Sequence, residues 1–166
     1  AHHYATSMST IEISSLHAKD LTKEFIKYYD DAIKTPKGKY KAYVIKNEND
    51  DQINSLIELL NRHKIKFGSV NSNKSISGFS YSDNKSEKFN IDPNDLVISV
   101  YQPKSNLIKA LFEPKTKLSD SLTYDITAWA LPYARGLNAY ASTAKLKVDP
   151  YQKSTSEIST KSLDKP

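Results

Sequence analysis

An alternation of strand-like and helix-like segments between residues 40 and 70 constrains the fold of this chain most. Residues 40–45 and 65–70 are β-rich runs. Between them, apolar residues recur at the i, i+3, i+4, i+7 spacing of an amphipathic helix: Ile53, Leu56, Ile57 and Leu60. A strand, a helix and a second strand in so short a stretch predict a βαβ unit, whose two parallel strands are joined by a right-handed crossover.

Later segments continue this alternation. Residues 96–100 form an apolar run typical of a buried strand, and residues 78–82 and 89–91 favour two short strands around a polar turn. Pro103 suits the first turn of a helix, whose apolar positions are Leu107, Ile108, Leu111 and Phe112. The sequence therefore predicts an α/β fold of three layers, with a mostly parallel sheet flanked by helices, which resembles the flavodoxin-like or class I glutamine amidotransferase-like layout.

The two ends of the chain differ from this central part. Apolar residues at helical spacing predict an amphipathic helix over residues 15–34, and Pro36 and Gly38 end it. We therefore expect a connector at 1–36, an α/β domain at 37–145 and a flexible polar tail at 146–166. His2 and His3 are either a tag remnant or part of the last loop of a preceding domain.

Charge and composition exclude several classes of function. The net charge is +5, but the basic residues are 22 lysines and two arginines, which indicates a solvated surface rather than a nucleic-acid interface. The absence of cysteine excludes disulfides, thiolate zinc sites and cysteine nucleophiles. No apolar run approaches the roughly 20 residues that span a bilayer.

Three motifs resemble one protein family. They are Gln-Pro-Lys-Ser at 102–105, Leu-Phe-Glu-Pro at 111–114 and Ser-Leu-Thr-Tyr-Asp-Ile-Thr-Ala-Trp at 121–129. Together they resemble a C-terminal segment of large secreted bacterial zinc carboxypeptidases of the carboxypeptidase A superfamily, where the segment follows the catalytic domain. The resemblance covers residues 6–141 and includes none of the catalytic residues of that family.

The resemblance implies an accessory α/β domain that is itself non-catalytic and that supports or shapes a peptidase domain of the same polypeptide. Zinc would belong only to that catalytic domain, upstream of residues 1–36, and this chain would hold no cofactor. The protein would be secreted, periplasmic or part of the cell envelope. We expect no nucleic-acid partner and no membrane span.

Catalytic constellations are poorly represented in this chain. His17 and Asp20 have the spacing of a His-x-x-Glu zinc pair but carry aspartate, in a helix where such a pair is common by chance. Residues 78–82 match a nucleophile elbow except for the last glycine. Asp120 and Asp125 are better explained as helix caps than as a carboxylate pair.

One aromatic and polar cluster remains as a candidate interaction surface. It consists of Tyr124, Asp125, Trp129, Tyr133 and Arg135. Tyrosine, tryptophan and arginine dominate the hot spots of protein interfaces. The same residues also suit a structural role, in which Trp129 closes the core and Arg135 pairs with a carboxylate. The sequence leaves both interpretations open.

Two alternatives to an accessory domain also follow from the sequence. A stand-alone hydrolase or amidotransferase-like enzyme would need a pocket at the strand-to-helix turn 100–104, which lacks the cysteine of class I amidotransferases. A peptide-binding or glycan-binding module would need exposed aromatic side chains around Trp129.

Overall fold

The computed structural model describes residues 2–115 and 130–151. Five helices lie in these ranges: α1 His2–Leu16, α2 Ala18–Lys34, α3 Asp50–Arg62, α4 Ser105–Phe112 and α5 Leu131–Ala134. Seven strands accompany them: β1 Ala42–Ile45, β2 Gly68–Ser69, β3 Lys74–Ser80, β4 Lys85–Ile91, β5 Leu96–Ser99, β6 Ala139–Ser142 and β7 Asp149–Pro150. The sheet thus continues past the domain boundary expected at residue 145.

All seven strands form one sheet in the order β4-β3-β6-β1-β5-β2-β7. Every neighbouring pair is antiparallel. The prediction of a mostly parallel, three-layer sheet of the flavodoxin-like or amidotransferase-like type is therefore wrong. The predicted strands near 40–45 and 96–100 do exist as β1 and β5, so the error lies in how the strands pair.

The prediction of a parallel pair failed because β5 lies between β1 and β2, the two strands that the sequence pattern was expected to pair. β1 pairs with β5 along its whole length, from Ala42 opposite Ser99 to Ile45 opposite Leu96. β2 pairs with the other edge of β5, at Gly68 opposite Val97. β1 and β2 therefore run in the same direction, as a crossover through α3 requires, but they are not neighbours.

This arrangement is a split βαβ unit, and it occurs twice. The elements β1, α3, β2, β5, α4 and β6 follow the β-α-β-β-α-β order of ferredoxin-like folds, with β6, β1, β5 and β2 as adjacent strands. The β3–β4 hairpin is inserted between β2 and β5 in sequence and extends the sheet beyond β6, where Phe79 lies opposite Ala141.

Helices α3 and α4 cover one face of the sheet. Their buried residues, among them Leu56, Leu60, Ile108 and Phe112, pack against Tyr43 and Ile98 of the central strands. The opposite face has its own apolar cluster, which contains Val44, Val97, Ile91 and Leu146 and no helix residue among those described. The sheet therefore has one helical layer in this part of the chain, where the sequence predicted two.

Local signals explain the ends of α3. The side chain of Asn49 caps the helix by accepting hydrogen bonds from the backbone N–H groups of Asp51 at 3.0 Å and Gln52 at 3.1 Å. At the other end, the N–H of Ile65 bonds to the carbonyl of Leu60 and that of Lys64 to Asn61, the two bonds of a Schellman motif.

Within the described ranges, the helices are too short or too polar to cross a bilayer.

Candidate interaction surface

Helices α1 and α2 form a helical arm, residues 2–34, that stands apart from the core. The backbone ladder continues through the junction, because His17 donates to Ile13 and Leu21 donates to His17, both at 3.0 Å. Ala32, near the end of the arm, is its only residue classed as buried among those described. The predicted amphipathic helix is confirmed as α2, whereas α1 was predicted only for its last residues.

The apolar face of α2 is exposed. Six large side chains lie on it and are each between 36% and 64% exposed: Leu21, Phe25, Ile26, Tyr28, Tyr29 and Ile33. A helix that is apolar on one side normally buries that side. The aromatic members contact one another, with the ring of Tyr29 edge-on to those of Phe25 and Tyr28 at 5.1 and 5.2 Å. The face is therefore a contiguous patch rather than a set of scattered residues.

The opposite face of α2 is fully charged. Lys34 Nζ lies 2.8 Å from Asp30 Oδ2, and Lys27 donates to Asp31 one turn away. The hydrogen bond to Asp31 raises the pKa of Lys27. Such i, i+4 pairs stabilise a helical face that is exposed to water. Helix α2 is therefore amphipathic, with a charged face on one side and the apolar face on the other.

The base of the arm is fixed against the α/β domain. Lys41 Nζ donates to the carbonyls of Pro36 at 2.9 Å and Gly38 at 3.0 Å, which closes the turn after α2. Gly38 has a φ of +112°, a conformation that favours glycine. Ala32 is buried where the arm passes α4. The orientation of α2 is therefore set at its C-terminal end, and its exposed apolar side chains extend from Ile33 back to Leu21.

Of the five residues predicted as an interaction surface, Tyr124, Asp125 and Trp129 lie outside the described residues. Tyr133 and Arg135 are described: Tyr133 lies within α5, and Arg135 is the C-cap residue of that helix. Tyr133 Oη donates to Asn84 Oδ1 at 3.0 Å, and Arg135 Nη1 donates to Ser55 Oγ at 3.1 Å. These bonds attach α5 to the hairpin turn and to α3, and Gly136 follows with a φ of +59°.

Tyr133 also belongs to a cluster of tyrosines between α4 and the sheet. Its ring lies edge-on to Tyr81 at 5.1 Å, and buried Tyr81 donates from its hydroxyl to the carbonyl of Phe112. Burial raises the pKa of Tyr81 and of Tyr43 well above the ordinary tyrosine value. Tyr133 is partly buried against this core, which favours the structural interpretation for this residue.

The candidate catalytic residues are dispersed in the structure. Ser80, the centre of the elbow-like sequence, is a buried strand residue that bonds to Asp83 at 3.1 Å. His17 Nδ1 lies 3.8 Å from Asp20 on the exposed arm. Residues 2–115 and 130–151 contain no cluster of three side chains suited to a metal ion.

The turn at 100–104 has a structural role, because its residue Gln102 bonds to the backbone of neighbouring segments. Gln102 Oε1 accepts from the backbone N–H of Lys66 at 2.7 Å, and its Nε2 donates to the carbonyls of Lys66 at 2.8 Å and Ser99 at 2.7 Å. The side chain thereby continues the pairing of β2 with β5 where the backbone strands diverge. An open groove does lie beside this turn.

Sequence reasoning predicted α2 but did not identify its apolar face as a site. The signal was present in the spacing of its apolar residues, which was interpreted as that of a connecting helix. Comparison with known proteins adds no relative, because no family model, no curated protein and no solved structure matches this chain.

Proposed function

We propose that this chain is a non-catalytic accessory domain that binds a zinc peptidase domain of the carboxypeptidase A superfamily through the apolar face of α2. The observation that carries the proposal is the exposure of six large apolar side chains on one helix face. At about 100 Å² each, they present on the order of 600 Å². That area is at the upper end of the largest apolar patches on monomeric proteins and approaches the roughly 800 Å² per partner of a standard interface.

The choice of partner rests on the resemblance of three motifs to that family. Three of the eight described motif residues, Gln102, Ser105 and Phe112, are buried and have structural roles. A resemblance carried by such residues indicates a shared domain rather than a shared binding site. The proposal therefore assigns the contact to α2, which precedes the α/β domain in the chain, and leaves catalysis and zinc to the partner.

The binding test compares two alanine variants of α2. Residues two positions apart on a helix face opposite sides, so Phe25→Ala removes part of the apolar face, whereas Lys23→Ala alters only the charged face. We expect Phe25→Ala to weaken binding to a purified peptidase domain of this family at least tenfold by calorimetry, and Lys23→Ala to leave it nearly unchanged. Equal effects of the two variants, or no binding by the unaltered chain, would overturn the proposal.

The non-catalytic part of the proposal has its own test. The purified chain is assayed for release of C-terminal amino acids from peptides, with and without added zinc. We expect neither stoichiometric zinc nor hydrolysis. Bound zinc together with activity that is lost in His17→Ala would show that the chain is an enzyme and that His17 and Asp20 form its metal site.

A further inference from the structure

A groove of about 660 Å³ lies on the side of the domain formed by the end of α3, the start of β2, the turn after β5, and β7. Its volume falls within the range of small-molecule sites. Phe67, Tyr101 and Pro150 give it an apolar lining, and Lys64 and Lys66 are also among the residues that line it. None of the residues that line the groove belongs to α2, so an inference about the groove does not depend on the proposed function.

Hydrogen bonds and an aromatic contact hold two parts of the groove wall in place. The Gln102 side chain fixes the backbone of Lys66 by a pair of hydrogen bonds. The ring of Phe67 packs edge-on against that of Tyr151 at 6.0 Å between centroids. A preformed site loses little conformational freedom when it binds a ligand, so these contacts favour a binding site over a transient surface depression.

Lys64 adopts a conformation that its residue type disfavours. Its φ is +55°, and it occupies the position after the C-cap of α3, where glycine is usual because it has no β-carbon. Strained residues of this kind concentrate at functional sites, where the side chain is retained in spite of its conformational cost. Lys64 is one of the residues that line the groove.

The charged and aromatic residues at the groove indicate which class of ligand would fit it. Lys64 and Lys66 are the lysines among the described residues that line the groove. The ammonium group of Lys145, which is not one of those residues, lies 4.2 Å from the ring centroid of Tyr101. Among the described residues that line the groove, Asp149 is the only acidic one. Positive groups beside apolar and aromatic walls suit a ligand with an aromatic or apolar body and an anionic group.

We propose that this groove binds a small organic anion that combines an aromatic ring with a carboxylate or phosphate group, and that Lys64 binds the anionic group. The ring lies against Phe67 and Tyr101. Gln102 positions the wall without contacting the ligand, because its amide is already bonded to Lys66 and Ser99.

The test is a titration of the protein with four small-molecule probes at low salt, in which binding is monitored by the shifts of backbone amide signals in NMR spectra. Benzoate and phenyl phosphate carry both features, benzyl alcohol lacks the charge, and inorganic phosphate lacks the ring. We expect at least one aromatic anion to shift the amide signals of Lys64, Lys66 and Tyr101 and to bind at least tenfold more tightly than benzyl alcohol. Whichever of benzoate and phenyl phosphate binds more tightly shows whether the site prefers a carboxylate or a phosphate group. Equal binding of benzyl alcohol, or no shift with any probe, overturns the proposal.

Lys64→Gly separates binding from folding. Glycine relieves the positive φ, so the melting temperature should stay the same or rise while affinity for the preferred aromatic anion falls at least tenfold. Lys64→Arg keeps the charge and should retain most of the affinity. Lys88→Gln, which removes an exposed lysine from β4, is the control for net charge and should bind normally. Unchanged affinity in Lys64→Gly would refute the role of Lys64.

Discussion

Replacing Gln102 by alanine tests how strongly a single side chain holds β2 and the turn after β5 together. Gln102 is 5% exposed and makes three hydrogen bonds of 2.7–2.8 Å to the backbone of Lys66 and Ser99. Gln102→Ala removes all three and leaves one backbone N–H and two carbonyls without that partner. At about 0.5–1.5 kcal/mol for each bond, the expected loss is about 2–4 kcal/mol in the free energy of unfolding.

The loss should appear in urea denaturation and as a fall of roughly 5–12 °C in melting temperature for a chain of this size. Gln52→Ala is the matched control, because the amide of Gln52 is exposed and makes only a 3.4 Å contact to the Arg135 carbonyl. The control should change stability by less than about 0.5 kcal/mol. If Gln102→Ala were equally mild, water entering from the groove would replace the side chain and the assigned role would be wrong.

Two further changes probe the core and the sheet edge. Because burial holds the pKa of Tyr81 and Tyr43 above the ordinary value of 10.0, the folded chain keeps protons that the unfolded chain loses, so stability should fall as pH rises above about 10. In urea denaturation between pH 8 and 11.5, Tyr81→Phe should make that fall shallower by about 1.4 kcal/mol per pH unit, and an unchanged slope would contradict the reasoning. A β-carbon at Gly68 would lie 1.9 Å from the Asp149 carbonyl, so Gly68→Ala should cost about 1–3 kcal/mol and speed amide hydrogen exchange at Ser69 and Asp149. At Gly136 a β-carbon would meet no atom within 4 Å, although the φ of +59° disfavours alanine; Gly136→Ala should therefore lower stability without selectively speeding exchange at Ser69 and Asp149.

The sequence predicted local elements better than their pairing. The spacing of apolar residues identified α2, α3, α4 and the strands β1 and β5, because helix and strand periods are local properties. It could not show that β5 enters between β1 and β2, since a βαβ pattern gives the direction of two strands and not which strand separates them. That choice depends on long-range contacts such as Tyr43 opposite Ile98.

The candidate site shows the same limit. The periodic pattern of α2 predicted an apolar face, but a pattern cannot reveal whether that face is buried or exposed. The strained Lys64 was also not predictable, because lysine after a helix gives no signal of a positive φ. The sequence marked Gln102 only as part of the motif at 102–105. Its hydrogen bonds to Lys66 could not be predicted, because they depend on how β2 and β5 pair in the fold.

The stability of Phe25→Ala in the isolated chain tests the central claim most directly. If the apolar face of α2 is free, removing a side chain that is 64% exposed should change the free energy of unfolding by less than about 0.5 kcal/mol. Phe112→Ala, in the buried core, should cost about 3–5 kcal/mol in the same assay. A loss at Phe25 comparable to that at Phe112 would show that the face is buried within the chain and would contradict its role as a binding surface.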